Sequence, residues 1–373
     1  MKNIFIGLMS GTSIDSIDAV LVNLENENEP KIIETYSHTI PENIRDDIKS
    51  LSLPSYNEIN LLGKLDRQLG FYFAEAANKL IKKAKINFKD VEAIGSHGQT
   101  VRHYSKKNNS NDLSFSLQIG DPNTIAEKTR IKTVADFRKR DITLEGEGAP
   151  LTPAFHQSLS FKMSNTIAFL NLGGIANITV IHNGEITNGF DTGPANILLD
   201  DWIKKNIGEN FDLNGDWARQ GQINNKLLIA LEDHPFFKRG SPKSTGREDF
   251  NIDWLLKVLA SIDEKVKASD VQRTLLQLTS KTISNEIKSL PLKPSIIFCC
   301  GGGCKNKYLM ECLKSENPDI NIKTTDALNI HPDWIEAVSF AWFAKQNILK
   351  KKINISHITG AKKNAILGAV FQA

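Results

Sequence analysis

Nowhere in the chain does a run of apolar residues approach the ~20 that a membrane-spanning helix requires, so none is expected. The apolar stretch after Met1-Lys2 is too brief for a secretory leader, and Asp15 and Asp18 follow it at once. An excess of one charge is lacking too: 46 Lys and Arg against 43 Asp and Glu leave a formal net charge of +3. That is weak for a dedicated nucleic-acid binder, whose basic residues cluster on one face. Lys350-Lys351-Lys352, the one basic cluster of note, reads as a solvated helix end. Cysteine is scarce: Cys299, Cys300, Cys304 and Cys312 all fall in one short stretch, without the C-x-x-C pairing a zinc site wants. At least one of Cys299 and Cys300, which follow Ile296-Ile297-Phe298, should be a small buried apolar group. A reduced, cytoplasmic protein with neither nucleic acid nor membrane as partner is the expectation.

What is present is 373 residues, too many for one ordinary core, so two domains are expected. Apolar content of 40% and charged content of 24% suit a globular protein. The stretch from Ile4 to Val22 organises the rest. Apolar runs at Ile4–Leu8 and Ala19–Val22 flank a turn of Gly11, hydroxyl residues and carboxylates, which reads as two strands joined by a turn. The Ser10, Thr12 and Ser13 hydroxyls and the Gly11 N–H form a nest of donors suited to an anion. Asp15 and Asp18 would repel a bare phosphate, but a nucleotide-bound Mg²⁺ reconciles them with it. An ordinary polar hairpin turn fits the same residues.

Along the chain, Pro41–Leu53 and Tyr56–Ala84 read as helices, the second with Leu61, Leu62, Leu65, Leu69 and Phe73 at helical spacing. Val91–Gly95 reads as a strand ending in Ser96-His97-Gly98-Gln99-Thr100, and Lys106–Asp112 as an exposed loop. A helix from Asn123 and a strand over Lys132–Ala135 lead to a Gly-rich loop, Glu145–Pro150, expected to be a domain junction or moving lid. A second half then opens with strands at Thr166–Leu170 and Ile178–Ile181 around the turn Asn171-Leu172-Gly173-Gly174. The remainder alternates helices with one strand, Ser295–Phe298, which ends in Cys300-Gly301-Gly302-Gly303-Cys304. A strand, a Gly-rich turn and a strand thus occur twice. That suggests duplicated α/β halves with a ligand cleft between them.

Gly7–Ser13, Gly95–Thr100, Val134–Arg138, Asn171–Asn177, Phe190–Asn196, Lys243–Glu248, Gly301–Asn306 and Glu336–Ala344 together resemble the anhydro-N-acetylmuramic acid kinases. The segments keep that family's order over nearly the whole chain. The resemblance implies the α/β fold of the acetate kinase, sugar kinase, heat-shock chaperone and actin superfamily: two duplicated actin-like (ribonuclease H-like) domains with an ATP cleft. The expected boundaries are 1–160 with 358–373, and 161–357. The implied activity is ATP-dependent phosphorylation of 1,6-anhydro-N-acetylmuramic acid with hydrolytic opening of its anhydro ring, in peptidoglycan recycling and amino-sugar catabolism. The products are N-acetylmuramic acid 6-phosphate and ADP, and a homodimer is implied. A kinase of another amino sugar or sugar acid is one alternative. A non-enzymatic ATP-driven conformational protein is another, disfavoured because no peptide-binding domain follows Gly368.

By resemblance the catalytic base falls on Asp191. Its position between Gly189-Phe190 and Thr192-Gly193-Pro194 also fits a strand end facing a cleft, or an N-cap of the next helix. The β- and γ-phosphates are assigned to Ser10, Gly11, Thr12, Ser13, Ile14, Asp15, Ser16, Ile17 and Asp18, with Asp15 or Asp18 reaching Mg²⁺ directly or through water. Gly173 and Gly174 form the second phosphate hairpin, and Gly301, Gly302, Gly303 and Asn306 pack on the adenosine. Gln99, Thr100, Arg130, Arg138 and Glu336 are the sugar contacts, with His97 a weaker candidate. An Arg suits the sugar's lactyl carboxylate, although Arg138 could instead pair with Asp136 or Asp141. Met9 stands where sugar kinases of the superfamily carry Asp. Ser16 stands where this family usually has Gly, so a turn needing positive φ there would be strained. Lys243–Glu248 matches the family without a role that chemistry assigns.

Overall fold

The computed structural model describes residues 3–11, 13–52, 56–104, 113–241 and 243–373. Thr12 and the Lys106–Asp112 loop lie outside the described residues. The chain divides into two compact units: Met1–Leu159 with Trp334–Ala373, and Ser160–Asp333.

In the first unit, β1 (Ile4–Ser10), β2 (Ser16–Asn23) and β3 (Lys31–Thr39) form an antiparallel meander. The next strand, β4 (Val91–Tyr104), lies parallel to β1, with Gly7 opposite Gly95 and Ser10 opposite Gln99. Two short strands follow in sequence. β5 (Phe115–Ile119) pairs with the far half of β4, and β6 (Thr133–Ala135) runs parallel beside it. Apolar residues of β1 and β2 are buried almost without a break, the pattern of strands covered on both faces. The helix Glu58–Ala84 covers one face with Leu65, Leu69, Phe73, Ala77 and Leu80. Val91–Gly95 is only the first third of β4, so Ser96–Thr100 continues the strand instead of following it.

The second unit repeats this plan. β7 (Ile167–Leu172), β8 (Ile175–His182) and β9 (Glu185–Pro194) are an antiparallel meander, and Gly173-Gly174 is the whole of the first turn. Parallel strands β10 (Ile296–Cys300) and β11 (Asn321–Thr324) extend the sheet beyond β7. The orders β3-β2-β1-β4-β6 and β9-β8-β7-β10-β11 therefore correspond strand for strand, and duplication is visible in the topology. Cys299 and Cys300 are both buried in β10.

The return to the first unit starts at Trp334, well before residue 358. The helix Ile335–Ile348 lies directly on β1 and β4, and a Cβ at Gly7 or Gly95 would sit 1.7 Å from Ala337 O or 1.9 Å from Phe340 O. Its sequence carries buried residues on every side, as a helix packed all round does. β12 (Ala369–Phe371) then closes the sheet against β6.

The Glu145–Pro150 loop is pinned within the first unit. The buried Asp141 accepts hydrogen bonds from Gly146 N on its carbonyl (3.0 Å) and from Gly148 N on Oδ2 (2.8 Å). Its Oδ1 accepts from Thr359 Oγ1 at 2.7 Å, and Glu147 N donates to Thr359 O at 2.8 Å. These bonds fix the loop's main chain within the first unit, whereas a domain junction or moving lid was expected.

Candidate active site

The first turn is held from beneath. Ser10 is 1% exposed, and its hydroxyl donates to Ser16 O (3.1 Å) and Gln99 Oε1 (2.7 Å). Ser10 Oγ therefore closes the hairpin onto β4 and does not line its outer surface. Gln99, expected among sugar contacts, has its carbonyl oxygen used by Ser10 and its amide by Thr100 O. Thr100 accepts from Gln118 Nε2 at 3.1 Å.

Among the described residues of this turn the positive φ falls on Ile14 (φ 60), while Ser16 begins β2 with ordinary extended backbone. A β-branched residue in that region is a genuine outlier, and burial of Ile14 in the core holds it there. The strain expected at Ser16 is absent. Ser16 instead joins the two carboxylates, its N–H donating to Asp15 Oδ1 (3.1 Å) and its hydroxyl to Asp18 Oδ1 (3.3 Å). Ser13 also donates to Asp15, and Ser37 to Asp18 at 3.0 Å.

Also in the first unit, Arg138 and His97 form a close pair. Arg138 Nε–H donates to His97 Nε2 at 3.1 Å, and its NH1 donates to Gly148 O at 2.8 Å. Because a guanidinium only donates, His97 Nε2 is the acceptor, so Nδ1 carries the proton and donates to Gly98 O at 2.9 Å. Burial, then the Arg138 charge, keeps His97 neutral well below its usual value. Burial also lowers Arg138 to about 10, with Glu336 and Asp141 opposing that shift. Neither expected ion pair of Arg138 forms: Asp136 takes Lys139 (2.6 Å), and Asp141 holds the loop. The fold thus brings Arg138, His97 and the charge of Glu336 together.

Arg130 is not brought to them. It is exposed at the end of the helix Pro122–Thr129, with its guanidinium 5.7 Å above the Phe88 ring. Phe88 precedes β4 at Val91, and Gln99 lies roughly 25 Å further along that strand. Arg130 is a surface cation on an aromatic face.

In the second unit the Gly173-Gly174 turn faces the helix Asn196–Ile207. Gly173 O accepts from Asn196 N and Gly174 O from Ala195 N and Ile197 N, at 2.9–3.1 Å. These carbonyls take over the work of a side-chain cap, which this helix lacks. Gly301 and Gly303 are required by close packing: a Cβ would meet Asn171 Oδ1 at 2.4 Å or Leu172 Cβ at 2.7 Å. Gly302 faces open space. Asn306 caps the helix Lys307–Glu316, its Oδ1 accepting from Leu309 N at 3.0 Å.

Asp191 sits inside β9, opposite Asn177 of β8, and caps no helix. Its neighbour Thr192 spends its hydroxyl on Ala176 O. The Asp191 N–H donates to Lys243 O at 3.0 Å. Its carboxylate receives the Ser244 hydroxyl and the Thr245 N–H, each at 3.0 Å and both on Oδ2. Among the described residues no donor reaches Oδ1. Burial raises the carboxyl to about 6 despite those two donors, and Glu248 adds to the rise. A carboxylate poised there is suited to general-base work near neutrality. Sequence alone missed Ser244 and Thr245 as its partners. Their only local signal is a small polar run before Gly246.

Among the described residues no group of three or more potential ligands could hold a metal ion, and no helix is long and apolar enough to cross a membrane.

Comparison with known proteins adds a sequence-wide likeness. The family described as anhydro-N-acetylmuramic acid kinase matches residues 3–373. A protein named anhydro-N-acetylmuramic acid kinase from Shewanella sp. (strain ANA-3) is 46% identical over 374 residues, covering 100% of this chain and 99% of that protein. One of the same name from Coxiella burnetii (strain Dugway 5J108-111) is 45% identical, covering 99% of this chain and 98% of its own. A solved structure, the activator of the 2-hydroxyisocaproyl-CoA dehydratase from Clostridium difficile with bound ADPNP, aligns at TM-score 0.46 and 13% identity. That alignment covers 91% of this chain and 94% of the activator.

Proposed function

Because the chain belongs to the anhydro-N-acetylmuramic acid kinase family, we propose that this kinase uses Asp191 as general base for a phosphorylation coupled to ring opening. The substrate is 1,6-anhydro-N-acetylmuramic acid. Asp191 takes a proton from water as the water oxygen bonds to the anomeric carbon. The bond from that carbon to O6 breaks, O6 bonds to the γ-phosphorus of ATP, and ADP leaves with the bridging oxygen. The products are N-acetylmuramic acid 6-phosphate and ADP, which suits recycling of cell-wall sugars.

The single observation that carries the base assignment is the Asp191 carboxyl, half-buried, raised to about 6 and, among the described residues, held through one oxygen. A base so placed is worth about 10²–10⁴-fold in rate. The phosphates are assigned to Gly11–Asp18 and to Gly173-Gly174, the adenosine to Gly301–Gly303 with Asn306. Asp15 and Asp18, oriented by Ser13, Ser16 and Ser37, are the groups that would hold Mg²⁺, which neutralises charge on the phosphates. They are two oxygen-donor groups, which fits an ion that keeps most of its waters and binds through the nucleotide.

Arg138 is the partner for the lactyl carboxylate, since among the described residues its guanidinium donates to the neutral His97 and to Gly148 O. Glu336 and Thr100 complete the sugar contacts, with Gln99 acting through Ser10. The enzyme acts in the cytoplasm, where ATP is available, and as a homodimer by the family resemblance. The test is turnover in ¹⁸O-water: label must appear at the anomeric oxygen of the product. A kinase acting on a sugar hydroxyl without ring hydrolysis would leave that oxygen unlabelled.

A further inference from the structure

The segment Lys243–Asp249 is anchored at both ends. Lys243 carries its ammonium inward, donating to Glu286 Oε1 at 2.6 Å and to Arg239 O at 3.1 Å, above the buried Phe236 ring. Glu286 belongs to the helix Ala268–Ser289. The same helix donates from Thr279 Oγ1 to Pro194 O, at the end of β9. One rigid helix thus references both the strand that carries Asp191 and the segment that binds it. At the other end, Thr245 Oγ1 donates to Asp249 Oδ2 at 2.7 Å, which orients the Thr245 N–H. The Asp191 N–H donation to Lys243 O sets the register between them.

We propose that this segment is a strap that orients the base: Ser244 Oγ–H and Thr245 N–H occupy Oδ2 of Asp191, so that Oδ1 alone receives the proton from water. The inference rests on the assignment of Asp191 as base. A free carboxylate has two equivalent oxygens and a soft terminal torsion, and water could meet either oxygen. With both donors on one oxygen the group has one orientation and one basic edge. Hydrogen bonds to the charged form also limit the rise that burial imposes. The charged groups around it are accounted for. Glu248 raises the carboxyl, Lys243 is spent on Glu286, Asp249 on Thr245, and Asn177 opposite is neutral. Ser244 is therefore a positioning residue, acting through Asp191.

Ser244 is exposed, so Ser244→Ala leaves the core intact, whereas truncating the buried Lys243 would open a cavity and leave the half-buried Glu286 without its cation. The experiment is the pH profile of kcat/KM for the wild type, Ser244→Ala, Ser244→Thr and Asp191→Asn, with nucleotide affinity measured alongside. In Ser244→Ala the acid limb should move up by about half to one pH unit, the size of one lost hydrogen bond. The plateau rate should fall less than about tenfold, and Ser244→Thr should restore the limb. An unmoved limb in Ser244→Ala, or a uniform loss at every pH, overturns the strap while an inactive Asp191→Asn keeps the base. Turnover retained by Asp191→Asn overturns the base assignment itself, and with it the strap.

Discussion

Arg138 donates to His97 Nε2 at 3.1 Å, a cation resting on a neutral ring, with both nearby aspartates, Asp136 and Asp141, engaged elsewhere. A partly buried guanidinium whose hydrogen-bond partners are neutral keeps N–H donors for an incoming carboxylate, against the nearby charges of Glu336 and Asp141. Arg138→Gln should therefore raise KM for the anhydro sugar about 10–100-fold, the range of a charge-assisted hydrogen bond, with KM for ATP little changed. The same substitution should leave KM unaltered for the anhydro sugar that lacks the lactyl group. Steady-state kinetics on both sugars checks this.

The raised Asp191 carboxyl gives a pH signature. As a base it works unprotonated, so kcat/KM should fall with unit slope below about pH 6. Asp191→Asn should abolish turnover while leaving nucleotide affinity largely intact, measured by calorimetric titration.

The same shift bears on stability. The folded value lies above the ordinary 3.8, so the fold binds the proton more tightly than the unfolded chain does. Stability from this group is present below about pH 4 and lost as pH rises to about 6. Asp191→Asn should thus be more stable than wild type at pH 7.5 by up to about 3 kcal/mol, with the gap closing toward pH 4. Urea melts at the two pH values read the difference.

Ser16 occupies extended backbone and supplies a hydroxyl to Asp18. Ser16→Gly relieves no strain and removes that bond, so it should destabilise by about 0.5–1.5 kcal/mol and bring no gain in turnover. Denaturant midpoints and kcat together test this.

Gly95 admits the helix Ile335–Ile348 against β4, where a Cβ would lie 1.9 Å from Phe340 O. Gly95→Ala should cost about 3 kcal/mol by overpacking. A lowered melting temperature, with loss of soluble yield, is the readout.

The two hairpins were legible in the chain itself, because an apolar run, a Gly-containing turn and a second run are signals carried by adjacent residues. The same holds for the helix Glu58–Ala84, whose leucines repeat at its own period, and the family was readable from motifs kept in order. Three-dimensional packing decided the rest. Nothing local says that Ile335–Ile348 belongs on β1 and β4, since a helix buried on all sides shows no amphipathic face. Arg130 and Arg138 look alike as cations in sequence, and only the path of β4 separates them by the length of a strand. Ser244 reaches Asp191 across a gap of 53 positions, and such a contact follows from how β9 and the helix Ala268–Ser289 pack. Periodicity reports a residue's neighbours along the chain. The acidity of Asp191 and the orientation of its oxygens depend on groups brought to it through space, where desolvation and directed hydrogen bonds act.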